Sequence, residues 1–358
     1  KSSLTLNSDG DNIPHLMKKP WVRLSLVFIL TLGFLYFFFR SVGWKEVLNY
    51  LTDVNIIIFI VVILLAPLHF LTRAIRWQYL LKHEKRGVTL FNRFAANVIG
   101  FTVTFAFPGR LGEIAKPLYL AKKENMKKGF VLGTQVVERI FDILAMCFLL
   151  AVFLFFKSYY APYFNPDKET YSILTFTGIA AVTFAVFLLL LILSLYFFRE
   201  KTLSVIARIL KPLSQKVSSK IHVLIEEFIE GLKFFHSIGN ILIYMLLSVI
   251  VWLGITFFFW MLFFAYHVSV PFFSLIPYMF LTMVGASIPT PGMVGGFHYF
   301  SKLGLTSFFN IDPNLAVGMT IVMHALQLVV TCIIGYAILW KEGISMFQIK
   351  KLREESEQ

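Results

Sequence analysis

The sequence predicts an all-α polytopic membrane protein with six spanning helices plus two re-entrant helical hairpins related by an inverted repeat. Three observations carry that expectation. Apolar residues make up 58% of the 358 and only 15% are charged, and the mean hydropathy is +0.75, outside the range of soluble domains. Residues 171–198 run without a charged side chain, where about 20 apolar residues suffice to cross a bilayer core. Two further apolar stretches, 90–120 and 273–303, are each broken midway by proline and glycine, at FPGRLG and at IPTPGMVGG.

Spans are expected at 21–40, 54–80, 129–156, 171–198, 239–266 and 314–340, each long enough to cross with some tilt. Each broken stretch reads either as a bent span or as a hairpin that returns to its own side, which needs protein or water to satisfy the freed backbone. Charge selects the hairpins. With both folded back, most of the 33 Lys and Arg fall on one side, Arg73, Arg76, Arg110 and Lys116 among them. The other side keeps only Arg40, Lys45, Lys157, Lys168 and Lys302, with Arg139 inside a span. The positive-inside rule then places both termini in the cytoplasm. The expected division is a cytoplasmic tail over 1–20, one transmembrane domain over 21–345 and a second cytoplasmic tail over 346–358. The polar first 19 residues lack the apolar core of a signal peptide.

Setting Pro108 on Pro291 also aligns Gly109 with Gly292, Gly112 with Gly295 and Thr104 with Ser287, and carries flanking spans onto flanking spans. The repeating unit is span, hairpin, span, over about 54–156 and again over about 237–339. An odd number of crossings separates the two starts, so the second copy is inverted, a plan common among secondary transporters. Chance recurrence of Pro-Gly breaks is the bland alternative, weakened by a gap-free match of three elements. Between the halves, 199–236 carries Ile221, Leu224, Ile225, Phe228, Ile229, Leu232 and Phe235 at helical spacing. This amphipathic linker reads equally as a helix on the anionic cytoplasmic leaflet or as one packed on the bundle.

The first break carries Gly109, Arg110, Gly112, Glu113 and Lys116 within a few positions. A charged side chain at the bilayer centre costs about 2.5–3.5 kcal/mol, so the three charges are expected to face a wet or protein-lined cavity. The next span contains VVERIFDI, in which Glu138 and Asp142 share a helix face while Arg139 points about 100° away. Arg110 is the expected partner of those carboxylates. The set reads equally as an ion-pair network that pins the hairpin or as a substrate contact. The second break has no acidic residue; Pro291, Gly292, Gly295 and Gly296 let backbone or lipid approach closely, and half-helix ends offer N–H groups to an anion. His324 of the matching span reads as a packing residue or as a proton relay. Cys147 and Cys332 lack metal-ligand spacing and read as buried free thiols.

With PGRLGE, the Glu-Arg pair and its Asp, and PTPGMVGG in this order, the chain resembles the lysylphosphatidylglycerol synthase transmembrane region family, also called flippase-like, over residues 20–345. In the bacterial multiple peptide resistance factors such a region moves an aminoacylated phospholipid from the inner to the outer leaflet. Other relatives are linked to hopanoid or polyprenyl-linked glycolipid handling. The resemblance carries a substrate-site role onto Gly109, Arg110, Gly112, Glu113, Glu138, Arg139 and Asp142, and onto Pro291, Gly292, Gly295 and Gly296; the charge reading adds Lys116. Only 18 residues follow position 340, so no cytosolic aminoacyltransferase is expected and the lipid need not be aminoacylated.

The function expected is therefore a lipid translocase that moves a charged-headgroup lipid between leaflets of a bacterial or archaeal cytoplasmic membrane. A separate lipid-modifying enzyme is its candidate partner. No cofactor, metal or nucleic acid is expected, and no G-x-x-x-x-G-K-[ST] loop points to ATP. The alternatives are an intramembrane transferase using Glu138 or Asp142 as general base, and a scaffold for a lipid-modifying complex.

Overall fold

A run of Leu, Ile, Val and Phe in apolar surroundings satisfies its backbone polar groups by forming a helix, and the described elements are helices and short 3₁₀ turns. The computed structural model describes residues 20–39, 43–107, 110–164, 166–210 and 215–343. The Pro108–Gly109 step, Arg40 and both tails, 1–19 and 344–358, lie outside the described residues. The helices are α1 (Pro20–Phe39), α2 (Trp44–Thr52), α3 (Ile56–Leu65), α4 (Leu68–Leu81), α5 (Leu90–Ala106), α6 (Gly112–Glu124), α7 (Lys128–Phe155), α8 (Lys157–Tyr160), α9 (Lys168–Phe197), α10 (Arg199–Leu210), α11 (Gln215–Gly231), α12 (Ile238–Ala265), α13 (Ile276–Ser287), α14 (Gly296–Phe309) and α15 (Pro313–Lys341).

Among the described residues, four stretches are long and apolar enough to cross a membrane: Ile56–Leu81, Lys168–Leu195, Ile238–Ala265 and Pro313–Lys341. The first of these is two helices rather than the single one expected over 54–80. Pro67 has no N–H to donate and ends α3, and His69 Nδ1 lies 2.5 Å from the Ala66 carbonyl oxygen. Starts are fixed by side-chain caps: Asn55 accepts from the Ile57 and Ile58 N–H groups, and Asp312 from those of Asn314 and Leu315.

Both proline-glycine breaks separate pairs of helices that pack on each other through glycine. In the pair α5 and α6, a β-carbon on Gly112 would overlap the Gly100 carbonyl oxygen and Thr104 Oγ1; in α13 and α14, Gly285 and Gly296 stand against each other's carbonyls in the same way. The two breaks also touch. Arg110 Nη1 donates to the Ser287 carbonyl at 3.3 Å, and the Gly292 backbone lies beside the Phe105 carbonyl.

Burial forms two large apolar clusters. One joins α12 to α15 and the second half of α7 through Phe258, Phe259, Tyr278 and Met319. The other joins α4, α5, α6 and the first half of α7 through Trp77, Ile99, Tyr119 and Phe141. They meet on α7 at the turn carrying Glu138 and Asp142, which are buried.

The linker packs on the bundle, one of the two placements the sequence left open. Gly129 and Gly133 of α7 press on the Leu224 and Phe228 carbonyls of α11, and Glu227 accepts from the Gly129 N–H at 2.9 Å. At the end of α6, outside the spans, Glu124 ties the pair's base together. Lys85 Nζ donates to it at 2.7 Å, Asn92 Nδ2 at 2.7 Å and the Thr89 N–H at 3.2 Å.

Gly112→Ala should lower the stability of the purified protein by about 1–3 kcal/mol, read as a fall in Tm. Gly254→Ala, where nothing lies within 4 Å, should leave Tm unchanged. Burial alone would raise the Glu124 carboxyl, yet the Lys85, Asn92 and Thr89 hydrogen bonds outweigh it and hold the group at about 2. The folded value lies below the unfolded one, so the stability this group contributes is complete above about pH 4.5 and is lost as pH falls toward 2. Glu124→Gln should remove that part of the acid dependence of Tm.

Candidate functional site

The geometry of α7 puts Glu138 and Asp142 one turn apart on the same face. Neither is left to solvent: Glu138 is 0% exposed and Asp142 3%. Buried carboxylates need paired cations, and these come from three helices. Lys116 of α6 donates to both Glu138 oxygens at 2.9 and 2.8 Å, with its ammonium 4.3 Å from the centre of the Trp77 ring. Arg76 of α4 donates to Asp142 Oδ1 at 2.6 Å and to Ser248 Oγ at 3.0 Å, and its other terminal nitrogen lies 3.3 Å from Glu138. Arg73, one turn earlier, donates to Asp142 Oδ2 at 3.2 Å. Its guanidinium lies 5.7 Å from the centre of the Phe101 ring and 5.8 Å from that of Trp252. Trp252 Nε1 adds a hydrogen bond to Asp142 at 3.2 Å.

Arg139 bridges the set. Its long side chain folds back across the helix surface, reaching Glu138 at 3.0 Å, Asp142 at 3.3 Å and Glu113 of α6 at 3.3 Å. Glu113 is also met by Arg110 at 3.5 Å and by Gln135 at 2.7 Å. Arg110 has a φ of 55°, the left-handed region that costs a side-chain-bearing residue energy and that concentrates at functional sites.

The structure corrects the sequence reading in two places. Arg110 is not the partner of Glu138 and Asp142; it sits at the break and reaches Glu113 and the Ser287 carbonyl. The α7 carboxylates are held instead by Lys116, Arg73, Arg76 and Arg139. Arg73 and Arg76, counted above only among the charges of the cytoplasmic side, are 4% and 1% exposed. The signal available for them was the pair's one-turn spacing, followed by the apolar Trp77, Leu80 and Leu81, which extends the helix inward past both arginines.

Three of the cations face an open cavity of about 420 Å³. Arg73, Arg110, Arg139 and Asp142 line it, as do His69, Ser287, His324 and Gln327. Phe101, Ile143, Trp252, Ile255, Phe259, Met279 and Met283 form an apolar remainder that extends to Phe184 and Leu188 of α9. A void of about 20 Å³, room for one water, adjoins it between Gly100, Gly112, Glu113, Lys116 and Arg139. Thus Arg110, Gly112, Glu113, Lys116, Glu138, Arg139 and Asp142 come together. Gly109 lies outside the described residues.

The second-break residues are placed differently. Gly295, with a φ of 93°, packs on Thr31 and Phe34 of α1, and Gly296 on Gly285. Pro291 starts a short turn, and the Gly292 carbonyl lies 2.9 Å from His324 Nε2. From this segment it is Met293 that lines the cavity. Cys147 is buried and Cys332 half-buried, and no group of metal ligands occurs among the described residues.

Long apolar helices around a charged, cavity-lining cluster define a polytopic membrane protein with an amphipathic interior site. The chain belongs to the lysylphosphatidylglycerol synthase TM region family, whose profile matches residues 22–335, a lipid-related membrane family. It is 26% identical over 334 residues to a UPF0104 membrane protein of Methanocaldococcus jannaschii, covering 90% of this chain and 95% of that protein. No solved structure matches it.

Removing one member of a buried ion cluster leaves its partners uncompensated. Glu138→Gln should therefore cost about 3–5 kcal/mol of stability, and Lys116→Met combined with Glu138→Gln should cost less than the sum of the single changes. Thermal unfolding of the three purified variants checks both statements.

Proposed function

We propose that this protein is a lipid translocase that moves a charged-headgroup lipid between the leaflets of a bacterial or archaeal cytoplasmic membrane, with both termini cytoplasmic. The observation that carries the reading is the amphipathic cavity, lined by three guanidinium groups and a carboxylate together with aromatic and aliphatic side chains. The charged groups suit a headgroup and the apolar lining suits its chains. Binding sites of secondary transporters form where broken helices of two repeats meet, and here the two breaks are in contact through Arg110 and Ser287.

The inverted repeat is part of the proposal and has several supports. Arg110 and Met293, equivalent in the repeat alignment, both have positive φ, and both line the cavity. Each helix pair closes on glycine. In this reading the pairs are re-entrant hairpins, and the cavity would open to each side by movement of one repeat against the other. A separate enzyme that makes or modifies the lipid is the natural partner.

The transferase alternative gains nothing from the site. Each α7 carboxylate is engaged by at least three cations, a poor setting for a general base.

Translocation of head-labelled anionic, aminoacylated and polyprenyl-phosphate lipids in proteoliposomes tests the reading. Wild type should move a subset selectively, and Arg110→Ala, if folded, should reduce that movement at least about tenfold, as expected for loss of a charged contact to the headgroup. No movement of any lipid by folded wild type would overturn the proposal.

A further inference from the structure

The charges of the cluster do not balance. Among the described residues it contains the cations Arg73, Arg76, Arg110, Lys116 and Arg139 and the carboxylates Glu113, Glu138 and Asp142, joined to one another in a single set of contacts. Five positive charges face three negative ones. An excess of two positive charges in a site this buried is costly unless an anion joins it.

Hydrogen-bonding capacity points the same way. Arg73 and Arg76 are almost wholly buried, yet their Nε atoms have no hydrogen-bond partner, and neither does the Nε of Arg110. The acceptors, by contrast, are saturated. Glu138 has four cations against it, Asp142 three and the Trp252 N–H, and Glu113 two and the Gln135 amide. A cationic headgroup would find no carboxylate free to receive it. An anion in the cavity would meet the guanidinium groups of Arg73, Arg110 and Arg139 that line it, a donor type that suits phosphate.

Resting on the translocase reading, we infer that the cavity takes a phosphate monoester headgroup in its dianionic form, and that it rejects aminoacylated, net-cationic phospholipids. The formal excess of two positive charges favours a monoester, which supplies two negative charges, over a phosphodiester, which supplies one. The apolar wall of Trp252, Ile255, Phe259 and Met279 favours a lipid-borne phosphate over a free one.

The test is equilibrium binding to the purified full chain at pH 8, with four probes: phosphatidic acid, phosphatidylglycerol and lysylphosphatidylglycerol of matched chains, and inorganic phosphate. Phosphatidic acid should bind at least about tenfold tighter than phosphatidylglycerol, lysylphosphatidylglycerol should bind weakest of the lipids, and inorganic phosphate should bind far more weakly than phosphatidic acid. The preference for the monoester should shrink as pH falls below about 6, where its second proton returns.

Variants separate charge count from misfolding. Arg110→Gln lowers the excess and should reduce the preference, Glu113→Gln raises it and should increase the preference, and the double variant should return to wild type. Binding of lysylphosphatidylglycerol as tight as phosphatidic acid, or a preference that neither single variant moves, overturns the inference. Inorganic phosphate matching phosphatidic acid overturns the lipid source.

Translocation by the same preparation keeps the two claims apart. Movement of the aminoacylated lipid in preference to the monoester overturns the headgroup assignment and leaves the translocase standing. The expected binding order without movement of any lipid supports the assignment and overturns the translocase.

Discussion

Glu138 and Asp142 stand one turn apart on α7 with almost no exposure, and much of the surrounding structure is arranged around the requirement that such carboxylates be paired. Their partners arrive from α4 and α6 as well as from α7 itself, so the ion cluster joins elements that the apolar packing alone would let slide. Each contact depends on local backbone chemistry. The stop at Pro67 starts a second helix that carries Arg73 and Arg76 at one-turn spacing, and the contact of Gly112 with Gly100 lets α6 approach closely enough to bring Lys116 to Glu138. The aromatic rings of Trp77, Phe101, Tyr244 and Trp252 line the same cations, adding cation–π attraction where water is scarce.

The cluster has a closed side and an open side. Lys116 and Arg76 are sealed in the protein, whereas Arg110 and Arg139 retain roughly a third of their side-chain surface. The graded burial seals one set of ion pairs and leaves Arg110 and Arg139 at the cavity. The break at 107–111 is what makes that open side: it ends α5 inside the structure, holds Arg110 at positive φ and places it against the other break at Ser287.

Much of this was legible in the sequence, for reasons that differ between elements. The helices Lys168–Phe197, Ile238–Ala265 and Pro313–Lys341 fall within a few residues of the expected spans because uninterrupted apolar runs admit no other backbone solution. The two breaks announced themselves through proline and glycine, and the Glu138–Asp142 face through its spacing. Pairing was harder to read. Helical periodicity gives Arg139 a direction of about 100° from its neighbours, but its side chain is long enough to fold back onto them. Sequence distance could not say whether Arg110 or Lys116 meets Glu138, since that depends on how closely α5 and α6 approach. Arg73 and Arg76 were hidden by the rule that arginines near the end of an apolar run belong to the interface; the kink at Pro67 and the covering helices put them inside.

The proposed function puts a lipid headgroup at the charged edge beside Arg110 and Arg139. A phospholipid carrying a photoreactive group on its head, cross-linked to the protein in native-like membranes and mapped by peptide sequencing, measures this directly. Labels are expected on the segments around residues 110, 139 and 287, with the same group placed on the acyl chain labelling instead Ile255, Phe259 and Met279 of the cavity lining. Headgroup labels scattered over the outer faces of α9 and α12, with none at the break, would contradict it.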